Sequence, residues 1–315
     1  MPNYSGVWNL QPVYQAVAQG QWPLPPLTGD IGLFAGGYDG ANNVNVIEYI
    51  TITSTGNAAD FGDLTAATEG VSACSSSTRG LFGGGLASVY TNVIEYVTIA
   101  STGNATDFGD LTLARRYTGT CSSSTRGVWA SGNDNNRINI IDYVTIASTG
   151  NATDFGDLLA ATYQIAGCSS TTRGVFGGGD LLAGEQNVIQ YITIASTGNS
   201  TDFGDLTAAT RFLASCSSST RGLFGGGTTP SGQTNTISYI TIASTGNATD
   251  FGDLSTTRTA LAGCSSTTRG VFGGGISSNV IDYVTIASTG NATDFGDLLA
   301  ETYALGACSN AHGGL

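Results

Sequence analysis

The octapeptide NATDFGDL at residues 104–111 recurs at 151–158 and, with at most one substitution, at four further places in the 315-residue chain. A tyrosine precedes its phenylalanine by twelve residues in every copy, and a cysteine follows by thirteen, so the register inside each repeat is fixed. Repeats of this length are typical of solenoids, arrays and propellers. The phenylalanines are spaced by 47, 47, 48, 48 and 44 residues, at Phe61, Phe108, Phe155, Phe203, Phe251 and Phe295.

Each repeat predicts four short β-strands, which we call a, b, c and d. In the last complete copy they are LAGCSS at 261–266, RGVFGGG at 269–275, NVIDYVTIAS at 279–288 and ATDFGDL at 292–298. The Gly-Asn pair between strands c and d predicts a turn. No repeat contains a helix-length periodic segment, which excludes the helical repeats. A four-stranded sheet cannot bury both of its faces alone, so the copies must stack, and a closed ring leaves no uncapped end.

The two ends of the repeat region predict how the ring closes. The stretch GDIGLFAGG at 29–37 aligns with strand b and has no strand a before it, whereas LGACSNAHGGL at 305–315 is a strand a with no strand b after it. We therefore predict an all-β fold, a six-bladed β-propeller of four-stranded blades. One blade combines N-terminal strands b, c and d with the C-terminal strand a around Cys308. Residues 29–315 form this ring, and residues 1–28 are a separate segment.

Composition and charge exclude several classes of partner. The chain has ten arginines, no lysine and a net charge of −13, whereas nucleic acids and anionic membranes are bound by clustered cations. No window reaches the roughly 18 uncharged apolar residues of a membrane span. The first ten residues lack the basic start and apolar core of a secretory signal. We therefore expect no nucleic-acid partner, no membrane insertion and synthesis in a cytoplasm without a signal peptide.

Two resemblances follow from these motifs. A Gly-Gly pair ending strand b, a tyrosine in strand c and an aromatic residue in strand d resemble the kelch repeat over residues 29–315. The sequence has Phe where kelch usually has Trp, and VWASG at 128–132 replaces VFGGG in one blade. The residue sequence of the repeats, together with the lead-in SGVWNLQPVYQAVAQGQWP at 5–23, also resembles kelch-like structural proteins of marine and cyanobacterial phage virions. The second resemblance implies a virion protein that is assembled in the host cytoplasm.

The sequence predicts no catalytic residue, cofactor or metal. The single histidine, His312, cannot supply a galactose-oxidase type copper centre, and we expect it to be an exposed residue near the chain end. The DFG triplet occurs without the phosphate loop, strand lysine and catalytic loop of a kinase. The Asp pair of each copy, such as Asp107 and Asp110, offers two carboxylates, whereas calcium needs six to eight oxygens. These motifs are therefore interpreted as structural, although cation binding by the Asp-rich turns stays an open alternative.

The repeated arginines and cysteines are also interpreted as structural. The ab and cd turns of a propeller lie on one face, so the ab-turn arginines should reach the Asp or backbone carbonyls of the cd turns, with Arg-carboxylate pairs preferred. The cysteines should be small buried thiols, because packed sheets are about 10 Å apart and a disulfide needs a shorter separation. A thiolate metal ring is the alternative. The ab-turn arginines are Arg79, Arg126, Arg173, Arg221 and Arg269.

The bc and da connections differ between repeats, whereas the ab and cd turns are almost copied. Strand order places bc and da together, on the face opposite ab and cd, and we call this the bc/da face. Loops on a rigid scaffold commonly carry recognition, and Tyr and Arg are effective binding residues. Drift on a surface that binds nothing is the alternative. The candidate binding residues are Tyr38, Asp39, Tyr90, Arg116, Tyr117, Asn133, Asp134, Arg137, Tyr163, Arg211, Phe212 and Tyr303.

Residues 1–28 predict one short amphipathic helix followed by an extended spacer. Pro12 suits a first helical turn, Gly20 suits its end, and WPLPPL at 22–27 is stiff. The segment either folds back onto the propeller or docks the ring onto a larger assembly of other virion proteins. The candidate anchor residues are Trp8, Leu10, Val13, Tyr14, Val17 and Trp22.

The first function hypothesis is a non-enzymatic phage virion protein of tail, fibre or capsid. It would display the propeller for attachment to a host-surface glycan or protein, or for contact with another protein. The alternative is a free-standing, lectin-like propeller that binds glycans in pockets between blades. A hydrolase ranks third, because no acid and base pair stands out from the repeats.

Overall fold

The computed structural model describes residues 26–315, so the predicted helix and all six candidate anchor residues lie outside the described residues. The described chain is all-β, and its strands form six four-stranded antiparallel sheets and two small hairpins. No helix capable of crossing a bilayer occurs between residues 26 and 315. The predicted six-bladed propeller is confirmed.

Each blade runs from strand a at the channel to strand d at the rim, and we number the blade containing both ends of the ring as blade 1. Blade 1 comprises β1 (Ile31–Ala35), β2 (Val46–Thr51), β3 (Ala59–Asp63) and β28 (Gly306–Ser309). Blade 2 comprises β4 (Ser72–Ser75), β5 (Arg79–Gly83), β6 (Val93–Thr98) and β7 (Thr106–Asp110). Blade 3 comprises β8 (Gly119–Ser122), β9 (Arg126–Ala130), β10 (Ile138–Thr145) and β11 (Thr153–Thr162).

The remaining three blades repeat this order. Blade 4 comprises β12 (Ala166–Ser169), β13 (Arg173–Gly177), β16 (Val188–Thr193) and β17 (Thr201–Asp205), with the bc hairpin β14 (Asp180–Leu181) and β15 (Gly184–Glu185). Blade 5 comprises β18 (Ala214–Ser217), β19 (Arg221–Gly225), β22 (Thr236–Thr241) and β23 (Thr249–Asp253), with the bc hairpin β20 (Thr228–Thr229) and β21 (Gly232–Gln233). Blade 6 comprises β24 (Ala262–Ser265), β25 (Arg269–Gly273), β26 (Val280–Thr285) and β27 (Thr293–Asp297).

The ring closes in blade 1 as predicted. Strand β28 pairs antiparallel with β1, with Cys308 opposite Leu33. Asn310 extends the closure, because its backbone N–H donates to the Ile31 carbonyl at 3.1 Å and its Oδ1 accepts from the Ile31 N–H at 2.8 Å. The C-terminal strand therefore completes the incomplete first sheet.

The apolar core is divided into six clusters, one in each seam between neighbouring blades. The seam between blades 1 and 2, which we call seam 1/2, contains Phe61 of one blade and Phe82 and Val97 of the next. The other five seams contain apolar residues at the equivalent positions, with Trp129 in place of the strand-b phenylalanine in seam 2/3. The repeated phenylalanine of strand d thus fills the seam between blades.

The octapeptide also joins each blade to both of its neighbours through the backbone. In NATDFGDL at 104–111, the Ala105 N–H donates to the Asp63 carbonyl of the preceding blade at 2.8 Å, and the Asn104 Oδ1 accepts from the Asp63 N–H at 3.1 Å. The other end is bound by the following blade, whose Gly150 N–H donates to the Phe108 carbonyl at 2.7 Å. Each cd turn therefore covers the outer edge strand of the preceding blade, which would otherwise be open to pairing with another chain.

This backbone pairing explains the glycine in the octapeptide. Gly109 has a φ of 147°, and a Cβ there would lie 2.5 Å from the carbonyl carbon of Gly150. Gly150 has a φ of 154° but no heavy atom within 4 Å of such a Cβ. The first glycine is needed for backbone conformation and close approach, and the second for conformation alone.

These two glycines make a matched pair of variants. Gly150→Ala should cost about 1–3 kcal/mol of unfolding free energy, since only glycine adopts this backbone region readily. Gly109→Ala should lower the unfolding free energy further, because its Cβ also pushes away the cd turn that contains Gly150. Urea unfolding of both variants measures the difference, and equal losses would contradict the close-approach argument.

Candidate binding face and channel

The ab-turn arginines join the blades on the ab/cd face. Arg79 Nη1 of blade 2 donates to the Ile146 carbonyl in the cd turn of blade 3 at 3.0 Å, and its guanidinium stacks on Tyr96 of its own blade. The other four ab-turn arginines make the same two contacts. The predicted reach to the cd turn is right, but the preferred carboxylate partner is wrong, because the acceptor is a backbone carbonyl of the next blade.

Blade 1 has no such arginine, because Ile31 occupies the position. The Leu27 N–H instead donates to the Ala100 carbonyl in the cd turn of blade 2 at 2.8 Å, and Leu27 packs on the seam 1/2 core. The described chain therefore enters the ring on the ab/cd face.

The opposite, bc/da face has a ring of backbone hydrogen bonds at the channel mouth. One residue from each da connection has a φ between 54° and 65° and donates its N–H to the carbonyl of its counterpart in the preceding blade, at 2.7–3.1 Å. The ring is continuous, so the chain holds the mouth at a fixed diameter. Its members are Gly70, Tyr117, Gln164, Phe212, Ala260 and Ala304.

Two candidate residues of this ring cover part of the mouth. The aromatic rings of Tyr117 and Phe212 meet edge to face with centroids 5.3 Å apart. Burial raises the pKa of Tyr117 to about 12 despite the neighbouring Arg116. The Tyr117 phenol therefore remains neutral and acts as an apolar surface with a polar tip.

The candidate arginines of the bc/da face are all paired with acids that the sequence reasoning missed. Arg116 forms an ion pair with Glu69 and stacks on Tyr90 and Tyr117. Asp180 bridges two arginines, Arg137 Nη2 at 3.1 Å and Arg211 Nη1 at 3.2 Å. Glu69 was detectable, because it occupies the repeat position of Arg116 in the neighbouring blade.

Glu185 completes this network from the hairpin of blade 4, where its Oε1 lies 3.0 Å from Arg211 Nε. No sequence pattern pointed to Glu185, because the bc connections have no common register. Each arginine is therefore held in place by its partner, which reduces the conformational entropy that a ligand contact would cost.

The remaining candidate residues lie on the same face in two roles. Tyr38 packs against Tyr303 with ring centroids 5.5 Å apart, and the Tyr90 hydroxyl donates to Asn133 Oδ1 at 3.0 Å. Arg137 stacks over the ring of Tyr163.

Asp39 and Asp134 hold the shape of their own loops. Asp39 Oδ1 accepts from the backbone N–H groups of Asn42 and Ala41, which lowers the pKa of the carboxyl. Asp134 Oδ1 accepts from the Asn136 N–H at 3.0 Å.

These residues form what we call the charged-aromatic arc. It runs from the da connection before blade 1 to the da connection after blade 4, whereas the bc loops of blades 5 and 6 and the da connection between them carry one charged residue, the buried Arg258. The arc comprises Tyr38, Glu69, Tyr90, Arg116, Tyr117, Asn133, Arg137, Tyr163, Asp180, Glu185, Arg211, Phe212 and Tyr303.

A second set of polar side chains crosses the seams beneath this face. In seam 2/3, Arg115 Nη2 lies 2.9 Å from Asp142 Oδ2, and both side chains are fully buried. In seam 5/6, Arg258 Nη2 lies 2.6 Å from Asp282 Oδ2. Burial lowers the pKa of both guanidinium groups, and the neighbouring aspartate opposes that effect.

The central channel is lined by the six strands a. All six cysteines are free and buried, and burial raises the pKa of each thiol, so none is a ready nucleophile. Each Sγ lies against a strand-b glycine of the next blade; a Cβ at Gly127 would lie 2.5 Å from Cys74 Sγ. Within residues 26–315, no three side chains of His, Cys, Asp or Glu converge closely enough to hold a metal ion.

His312 is half-buried in the channel opening, so the expectation of an exposed residue is wrong. Five strand-a serines donate Oγ–H to the serine carbonyl of the preceding blade. At the sixth position His312 Nε2 lies between the Ser75 carbonyl, at 3.2 Å, and Ser122 Oγ, at 3.1 Å. His312 Nδ1 accepts from the Gly314 N–H at 3.0 Å, which requires the neutral ring. Burial correspondingly lowers the pKa of His312 to about 4.

No protein-family profile matches the chain, and no characterised protein gave a significant match. The kelch and phage resemblances therefore stay hypotheses drawn from the residues themselves.

Breaking the buried pair in seam 2/3 should be costly. Arg115→Ala leaves Asp142 buried without its counter-charge and should lower the unfolding free energy by about 3–5 kcal/mol. The double variant R115T/D142Q copies the Thr162 and Gln190 of seam 3/4 and should recover most of that loss. Chemical denaturation compares the three proteins, and a double variant no better than Arg115→Ala would contradict the assignment.

His312 should make stability depend on pH. Its folded pKa of about 4 lies below the ordinary 6.5, so its contribution is complete above pH 6.5 and is lost as the pH falls towards 4. His312→Asn removes this titration. Unfolding free energies of wild type and variant, compared across that range, should therefore converge at low pH. A difference in unfolding free energy that stays constant with pH would show that the His312 imidazole does not titrate in this range.

Proposed function

We propose that the protein is a non-enzymatic component of a phage virion that presents the bc/da face of its propeller to a host surface. The observation that carries the recognition part is that the Tyr, Arg and acidic side chains of the bc and da connections lie within the span of the charged-aromatic arc, with the buried Arg258 as the exception. The ab and cd turns are nearly copied from repeat to repeat, and varied loops on a rigid scaffold are typical of a binding surface. The fold itself supports binding or protein contact in general and does not specify the partner.

The arc has the composition of a binding surface. Tyr and Arg supply large contact areas at a small loss of side-chain freedom when they are already held by neighbours. Arg116 stacks on Tyr90 and Tyr117 while paired with Glu69, and Arg211 is held by Asp180 and Glu185. Such an arrangement presents aromatic faces together with fixed donors and acceptors, which suits a host-surface glycan or a polar protein epitope.

The polarity of the ring supports attachment through the N-terminal segment. Leu27 lies on the ab/cd face, opposite the arc. A segment that leads away from this face can dock onto other virion proteins and leave the bc/da face outward. The virion assignment itself rests on the resemblance of the repeats and of the lead-in at 5–23.

The non-enzymatic assignment rests on the placement of the ionisable groups. The thiols and the buried Arg-Asp pairs lie in seams, where they pack or pair with neighbouring blades. The arginines of the arc are neutralised by carboxylates. An acid and base facing a common cleft would be needed for hydrolysis, and the arc presents paired charges instead.

Particle purification tests the attachment. The protein should copurify with virions, and deletion of residues 1–28 should abolish incorporation while the ring still folds, as judged by its unfolding transition. Incorporation of the truncated ring at the wild-type level would disprove the anchor, and absence of the intact protein from particles would disprove the virion role.

Host-cell adsorption tests the recognition face. The variant Y90A/Y163A/Y303A removes three aromatic side chains of the arc and should reduce adsorption at least about tenfold, as expected for loss of central binding residues. The control S231A/Q233A removes exposed side chains of the blade 5 loop on the same face and should adsorb normally. Equal adsorption of the two variants would count against the arc.

A further inference from the structure

A cavity of about 240 Å³ lies in seam 4/5, on the bc/da side of the ring and next to the end of the arc. It is bounded by the da connection after blade 4 and by the bc loop and strand c of blade 5. Leu206, Leu213 and Phe224 form its apolar wall.

The other seams show which side chains can occupy this position. Seven residues after the strand-d phenylalanine, the chain has arginine in seams 2/3 and 5/6 and threonine in the other four, with Thr210 in seam 4/5. The facing residue of strand c is Asp, Glu or Gln in five seams and the much smaller Ser238 in seam 4/5. Seam 4/5 therefore combines the smallest pair of side chains, at a position where the same scaffold twice accommodates a buried Arg-Asp pair.

Seam 5/6 also shows which polar groups the position offers. Arg258 Nη1 donates to the carbonyls of Gly274, at 3.0 Å, and Val280, at 2.5 Å. The counterparts in seam 4/5 are Gly226 and Thr236, and both line the cavity. The cavity thus contains backbone positions that bind a polar donor in the equivalent seam.

Hydroxyl groups dominate the remaining wall. Thr207 Oγ1 and Ser238 Oγ lie 2.6 Å apart, and Thr210 Oγ1 donates to the Ala208 carbonyl at 3.0 Å. Each hydroxyl has one donor and two acceptor sites, so these groups retain acceptor capacity for a ligand. The hydroxyl side chains of the wall are those of Thr207, Thr210, Thr229, Thr234, Thr236 and Ser238.

The chemistry of the wall restricts the ligand. No charged side chain lines the cavity, so an ionic ligand would lose its hydration without a counter-charge. A divalent cation would need carboxylates or more converging oxygens than threonine and serine hydroxyls supply. The volume equals that of about eight water molecules in the liquid, which fits one sugar ring. A neutral, hydroxylated molecule with one apolar face matches the hydroxyls and the Phe224 side.

We propose that seam 4/5 binds one neutral monosaccharide unit, as the terminal residue of a glycan. The inference deepens the proposed function and rests on it, since it assigns a ligand class to a second position on the same recognition face. The sugar hydroxyls bond to the threonine and serine hydroxyls and to the Gly226 region, where an arginine bonds in seam 5/6.

Titration calorimetry and saturation-transfer NMR with methyl glycosides of glucose, galactose, mannose, fucose and N-acetylglucosamine test the site. At least one should bind with a Kd of about 1 mM, the range expected for a ligand of this size. The variant T210R/S238D rebuilds the ion pair of seams 2/3 and 5/6 inside seam 4/5. It should fold, because the scaffold holds this pair twice, and should weaken binding at least tenfold. Thr210→Met fills the cavity without a charge and serves if the double variant does not fold.

The outcomes separate this site from the arc. The arc variant Y90A/Y163A/Y303A should bind the sugar like wild type, whereas T210R/S238D should lose it. No binding of any of the five glycosides at about ten times the expected Kd would overturn the proposal, as would equal binding by the filled and wild-type proteins. If no sugar binds but the arc variant loses adsorption, the proposed function stands and the sugar site is wrong. If a sugar binds in seam 4/5 but the arc variant adsorbs normally, the sugar site stands and the recognition role of the arc is wrong.

Discussion

The structure depends on the hydrogen bonds that join each outer strand to the cd turn of the next blade, and we call this pairing the clasp. A propeller blade has an exposed backbone edge at its rim, and such edges pair readily with other chains. Here the turn around Gly150 and Asn151 binds the backbone of Phe108 and Asp110, so the edge is partly satisfied within the ring. The start of each octapeptide bonds to the outer strand of the preceding blade, and its end is bonded by the cd turn of the following blade. The octapeptide is repeated because every blade makes both of these pairings.

The clasp joins the repeated cd turn of each blade, on the ab/cd face, to the preceding blade. The ab-turn arginine of blades 2 to 6 adds a further bond to the next blade. In blade 1, where Ile31 occupies the arginine position, the Leu27 N–H makes the bond to the next blade instead. Because all these contacts cross seams, we expect that a single blade is not stable by itself, as in other repeat proteins. The side chains of the ab/cd face are consequently constrained by bonds between blades. On the bc/da face the repeated bonds between blades are made by backbone groups at the channel mouth, so the side chains can vary.

That freedom is expressed in two ways on the bc/da side. The arc holds its arginines against Glu69, Asp180 and Glu185, which fixes charged groups beside aromatic rings. At one equivalent position the six seams contain an Arg-Asp pair twice, a Thr-Glu pair twice, and a Thr-Gln and a Thr-Ser pair once each. Six copies of one scaffold thus provide internal controls, since a side chain missing in one seam can be compared with the side chain that fills another.

Four features could be predicted from the residues alone: the all-β class, the six blades, the closure through Cys308 and the separation of a constant from a varied face. These follow from local periodicity and from fixed spacing, which a single chain displays directly. The bonding partner of each side chain across a seam became known only from the folded ring. The acceptor of Arg79 lies 67 residues along the chain and is a carbonyl, and the acids that neutralise Arg137 and Arg211 stand in loops without a shared register. His312 and the cavity of seam 4/5 likewise depend on which blades meet, because burial and empty volume arise only when neighbouring sheets pack.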